Sequence, residues 1–191
     1  AFVPFDNLPS QLNCADVVDL TGKHIIAGGI DAHVHFREPG LTHKADMETE
    51  SRAAVAGGVT TVFDMPNTSP ATVSAEALAG KMELAKTKSL AKTAFHIGAT
   101  NSNVDEICRI IREGDSATGI KASDIPGVKV FMGSSTGNML VDNGSTLGKL
   151  FSIKEKPVLV HCEDEATIKA NLAAATEKYG ENIPFEEHEN I

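Results

Sequence analysis

The apolar positions of this chain fall into short runs and helical stripes, and the two alternate. Ile25-Ile26-Ala27-Gly28-Gly29-Ile30 is an apolar run that predicts a strand continuing towards His35. Residues 46–56 are small and charged and predict a helix stopped by Gly57-Gly58. Val59-Thr60-Thr61-Val62-Phe63-Asp64 is β-branched and predicts a buried strand, followed by a loop rich in proline and asparagine. Leu78, Met82 and Ala85 recur at helical spacing within residues 74–88. Residues 93–98 predict a strand. Asn103, with Glu106 three positions later, predicts a helix start, and Ile107, Ile110 and Ile111 supply its apolar stripe. Residues 114–126 predict a loop, 128–132 a strand and 133–144 a Gly- and Ser-rich connection. A helix over 145–154, a strand over 157–161 and a helix over 164–179 complete the pattern. Before His24 the chain has no clear period, although residues 15–20 fit a short strand.

Five strand-then-helix units in series imply an α/β fold, with a parallel sheet and helices outside it. The two architectures of that kind are an open doubly wound sheet and a (β/α)8 barrel. A barrel needs eight units and about 250 residues, so 191 residues hold only about five of them. No G-x-G-x-x-G follows a strand and no P-loop is present, which weakens the nucleotide-binding readings.

The formal net charge of −9, with no basic cluster, argues against nucleic acid and anionic membranes as partners. No apolar run approaches the ~20 residues of a spanning helix, and no charged-then-apolar leader opens the chain. The three cysteines, Cys14, Cys108 and Cys162, are widely spaced and form no C-x-x-C pair, so a reducing cytoplasm is the expected compartment.

The candidate chemistry gathers where strands end, which is where functional residues cluster in barrels. Residues two apart on a strand share a face, so His33 and His35 project together at the end of the first strand. Arg37 joins them if that strand continues. Lys129 interrupts an otherwise apolar strand. It is either ion-paired or a buried amine whose lowered pKa makes the neutral form accessible. A neutral amine can take up carbon dioxide as a carbamate, which bridges metals as a carboxylate does. His161 ends the fifth strand. Three strand-end histidines suit a borderline divalent ion such as zinc. Cys162 neighbours His161, but adjacent strand residues face opposite sides. His188 lies in the polar run Glu186-Glu187-His188-Glu189 and reads as a solvated face, and His24, His43 and His96 read as structural.

Taken together, Asp31-x-His33-x-His35-Phe36-Arg37-Glu38-Pro39-Gly40, Ala56-Gly57-Gly58-Val59-Thr60-Thr61, Asp64-Met65-Pro66-Asn67-Thr68, Val128-Lys129-Val130-Phe131-Met132-Gly133-Ser134-Ser135 and Val160-His161-Cys162-Glu163-Asp164 resemble the amidohydrolase superfamily, and most closely dihydroorotase. The likeness runs from about Thr21 to Tyr179. It implies an incomplete (β/α)8 TIM barrel over 24–191, preceded at 1–23 by a remnant of a small β-domain and linker. It also implies reversible, metal-dependent hydrolysis of dihydroorotate to N-carbamoyl-aspartate in pyrimidine biosynthesis. On that resemblance the site holds one or two zinc ions: His33 and His35 bind the more buried metal, a carboxylated Lys129 bridges both metals, and His161 binds the second. Arg37 and Asn67 would hold the substrate carboxylate. The proton-shuttling aspartate and a further histidine ligand are expected beyond Ile191, which makes the isolated 191 residues an expected inactive fragment. The partner is then a small molecule, and a homodimer stays open. Some dihydroorotases use an aspartate after the fourth strand in place of the modified lysine, and Asp142 is the nearby alternative. Hydantoinase, dihydropyrimidinase and allantoinase are within-class rivals, and a non-catalytic dihydroorotase-like scaffold is a rival of another class.

Overall fold

The computed structural model describes residues 18–133 and 139–191. Strand β1 (Gly29–Val34) leads to helix α1 (Met47–Ala56), β2 (Val59–Asp64) to α2 (Ala75–Lys88), and β3 (Lys92–Phe95) with β4 (Ile97–Gly98) to α3 (Val104–Glu113). Strand β5 (Val128–Phe131) then leads to α4 (Gly144–Phe151) and β6 (Val158–His161) to α5 (Glu165–Tyr179). All pairings between these strands are parallel and follow chain order, β1-β2-β3 in one sheet and β4-β5-β6 in the other. This is the α/β alternation expected from the sequence. Of the segment 15–20, where a short strand is expected, residues 15–17 lie outside the described residues and 18–20 carry no strand; 134–138 within the Gly- and Ser-rich connection also lie outside them.

The predicted strand over 93–98 is divided at His96. Its first part pairs with β2 and its second with β5, so the break is the point where the chain passes from one sheet to the other. The loop over 114–126 contains a short 3-10 turn, Ala122–Asp124.

The helix starts follow from side-chain caps. Asp46 accepts from the Thr49 amide, Ser74 from Ala77 and Asp164 from Thr167, each satisfying a donor that the first helical turn leaves free. Asn103 differs. Its side chain makes no cap bond; its amide instead donates to the carbonyls of Val73 and Gly98, tying α3 to the loop before α2 and to the end of β4.

The core lies between sheet and helices. Val62, Val128 and Val130 meet Leu78, Ile107, Ile110 and Leu150, all buried. Fully burying one such side chain contributes about 2 kcal/mol. At the two outer strands the picture changes. Gly29–Ala32 of β1 is exposed, α5 has no buried residue, and Ile26, Ile30, Val160 and Leu172 face outwards.

Candidate metal and substrate site

Strand β1 stops at Val34, yet His33 and His35 remain neighbours, with ring centroids 5.4 Å apart. The Asp31 carboxylate accepts from the His33 backbone amide at 3.0 Å and steadies the strand end. Arg37 does not continue the strand. It adopts φ 64°, the left-handed region that a side-chain-bearing residue rarely occupies. Such a conformation costs roughly 1–3 kcal/mol and persists where its surroundings over-determine it.

Here the surroundings are a pair of interlocked loops. The Leu41 amide donates to the Arg37 carbonyl, and the Ser69 amide donates to the Pro39 carbonyl at 3.0 Å. Gly40, at φ 83°, lies so close to the second loop that a Cβ would sit 1.9 Å from the Ser69 carbonyl oxygen. Glu38 is buried, accepting from the Met47 amide at the start of α1 and pairing with Lys88 at the end of α2. The loop after β1 and the loop after β2 therefore form one body.

Asn67, buried in the second loop, reaches back to the first. His35 Nδ1 lies 2.9 Å from Asn67 Oδ1. An amide oxygen can only accept, so the ring proton sits on Nδ1 and the lone pair on Nε2. Burial pushes His35 below the usual histidine range, with the Arg37 charge acting in the same direction. His33 is lowered too, first by desolvation and then by Lys129; the His161 charge also lowers it. Both shifts favour the neutral ring, the form in which an imidazole can ligate a metal.

Lys129 is buried on β5, with its Nζ 4.8 Å from the centroid of the Phe131 ring. Desolvation lowers its pKa. Among the described residues no carboxylate forms an ion pair with it. Asp142, the alternative, is exposed and accepts from the Asn101 amide at 2.9 Å. His161 ends β6 next to Phe131, at a ring separation of 6.2 Å, and its Nε2 donates to Glu163 Oε1 at 2.6 Å. In the neutral ring that leaves Nδ1 as the lone pair. Among the described residues no three His, Cys, Asp or Glu side chains by themselves form a group able to hold a metal ion. His33 and His35 lie side by side at the end of β1, Lys129 is on β5, and His161 ends the neighbouring strand β6.

The other sequence candidates stand apart. His188 stacks on Phe185 in a 3-10 turn near the end of the chain. His24 and His43 are exposed. His96 is buried, its Nε2 donates to the Ala32 carbonyl at 3.1 Å, and the ring meets Phe63 edge-on. Cys162 is exposed.

Sequence reasoning overlooked a layer beneath the site. Asp64, at the end of β2, and Lys81, on α2, form a buried ion pair with Nζ 2.8 Å from Oδ2. The Phe36 amide donates to the other oxygen of Asp64. The signal was present, because Lys81 falls on the same helical face as Leu78, Met82 and Ala85.

The Amidohydrolase family matches residues 24–190. The chain belongs to that family. It is 38% identical over 151 residues to the dihydroorotase of Methanosarcina mazei, covering 78% of this chain and 31% of that protein. It is 31% identical over 188 residues to the allantoinase of Desulfitobacterium hafniense strain Y51, covering 92% of this chain and 40% of that protein. Among solved structures, the L-hydantoinase (dihydropyrimidinase) of Arthrobacter aurescens superposes with a TM-score of 0.75 at 25% identity, over 90% of this chain and 37% of that one. The chain thus spans about a third of the length of the dihydroorotases it matches. Amidohydrolase-family relatives are hydrolases acting on small molecules. Among the described residues no helix is long and apolar enough to cross a membrane.

Proposed function

We propose that this chain is the N-terminal part of a zinc-dependent dihydroorotase, which interconverts dihydroorotate and N-carbamoyl-aspartate. The observation that carries this reading is the left-handed Arg37, held by interlocked loops beside the His35–Asn67 contact. A cyclic amide that also bears a carboxylate calls for a fixed cation next to the hydrolytic centre. A planar guanidinium meets a carboxylate in two-point contact. Asn67 spends its oxygen on His35, and its side-chain NH2 is the group that would donate to the same carboxylate.

His33, His35, Lys129 and His161 are the residues that would hold one or two zinc ions. A bound zinc polarises the amide carbonyl and lowers the pKa of a water. Asn67 holds the His35 proton at Nδ1, and Glu163 holds that of His161 at Nε2. The desolvated Lys129 amine, once neutral, can attack carbon dioxide; the N–C bond forms, one proton leaves, and a carbamate results. The proton-shuttling aspartate belongs to the longer protein, as do the strands that would cover the open edges of β1 and β6. On this reading residues 24–191 supply about five units of a (β/α)8 barrel, and residues 1–23 belong to a small β-domain. The compartment is cytoplasmic.

A second reading, a hydantoinase-like or allantoinase-like enzyme, is favoured by the superposition with L-hydantoinase. The full-length protein, loaded with zinc, separates the two. Turnover of dihydroorotate that Arg37→Ala removes supports the first reading. Turnover of hydantoin or allantoin that Arg37→Ala leaves intact replaces it with the second. Full-length protein that binds zinc and turns over none of these rings rejects both in favour of a scaffold.

A further inference from the structure

We propose that Lys81 and Asp64 are positioning residues, an ion pair that sets the backbone on both sides of the His35–Asn67 contact. The pair is almost wholly enclosed, with side chains 1% and 0% exposed, and it lies between sheet and helix rather than in the site. Each partner also grips the main chain. Asp64 Oδ1 accepts from the Phe36 amide at 2.9 Å, the peptide immediately after His35. Lys81 Nζ donates to the Met65 carbonyl at 2.8 Å, two residues before Asn67. The Met65 amide in turn donates to the Val34 carbonyl at 2.9 Å, just before His35.

The two backbone segments that must stay in register for His35 Nδ1 to meet Asn67 Oδ1 are therefore held by one pair from below. Lys81 is fixed further by the Phe95 ring, whose centroid is 5.1 Å from Nζ. A buried ion pair contributes little net stability compared with well-packed apolar groups of the same volume. A role in the fold alone would be served as well by a leucine and a methionine. What the charged pair adds is two directed hydrogen bonds to main-chain groups next to the site.

The proposal extends the metal-site reading, and its test is independent of the substrate. In the full-length protein, Asp64→Asn with Lys81→Met neutralises both partners, keeps an acceptor for Phe36 and removes the donor to Met65. Zinc affinity of the apo protein, measured by competition with a chromogenic chelator well below the melting temperature, is expected to weaken about tenfold, as outer-layer changes at metal sites do. The single variant Asp64→Asn, which keeps Lys81, is expected to lie between wild type and the double variant. Loss of dihydroorotate turnover from the wild-type protein would overturn the substrate assignment and leave this measurement standing. A double variant that melts earlier but binds zinc within twofold of wild type overturns the positioning role. So does failure of both variants to fold, which would make the pair a requirement of the fold.

Discussion

The ends of β2 and β6 are equivalent places, each the C-terminal end of a parallel strand running into a site loop, and they are built in opposite ways. At β2 the residues Asp64–Thr68 are all buried, and the charge there is matched by Lys81 from the helix layer. At β6 the residues His161, Cys162 and Glu163 are exposed, and the charged contact is a local one, His161 to Glu163, with 43% and 40% of the side chains exposed. The first arrangement uses long-range contacts across three elements. The second uses neighbours two residues apart. The β2 side is thus set by the packing of this stretch of chain, whereas the β6 side takes its order from a contact that water can reach.

The comparison can be broken most readily at the buried pair. Lys81→Met alone strands the Asp64 carboxylate in the core and should cost about 3–5 kcal/mol in urea unfolding of the full-length protein. A cost below about 1 kcal/mol, the range of an exposed pair, would mean that the two ends do not differ. Arg37→Ala should lower kcat/KM for dihydroorotate roughly 100-fold, the loss of a charged hydrogen-bonding partner. Its Tm should stay nearly the same, because alanine also carries a Cβ and bears the same left-handed backbone cost at this position. Asn67→Ala frees His35 Nδ1 and should weaken zinc binding about tenfold in chelator competition.

Acid should act on the β1 side. His33, His35 and His96 all lie below the usual histidine range, with desolvation the largest cause at each. Between those lowered values and the ordinary one, the unfolded chain binds more protons than the folded chain, so stability rises with pH across that window. The Tm of the zinc-free protein should therefore fall as pH is lowered from about 7 to about 5. A flat profile would show that these rings are solvated. The smallest effect belongs to Glu163→Gln, which should change stability by less than about 1 kcal/mol.

The legible parts of the molecule were those with a period or a spacing. Alternating runs and stripes located the five α-helices of the described residues, and the H-x-H spacing placed His33 beside His35. Lys129 stood out as a cation within an apolar strand. Arg37 was legible as a charge but not as a conformation, because nothing local says that β1 stops at Val34. The division at His96 was hidden for the reverse reason: residues 93–98 are uniformly suited to a strand, and it is the change of pairing partner that divides them. Lys81 was hidden by its type. A lysine on an amphipathic helix ordinarily points to water, whereas this one lies on the apolar face and turns inwards to the buried Asp64 at the end of β2. Residue pairs far apart in the chain, Asp64 with Lys81 and His35 with Asn67, leave no local periodic trace.

The absent Cβ of Gly40 bears on how such a site can be altered. Because that position fits against the Ser69 carbonyl with no room for one more carbon, residues 37–40 and 66–70 behave as a single cassette. A segment grafted into one loop from an enzyme of different ring preference would meet the wrong contour in the other. Changes of substrate along this lineage are then expected to arrive as paired replacements in both loops, and a library that randomises only one of them should yield mainly misfolded or metal-poor protein.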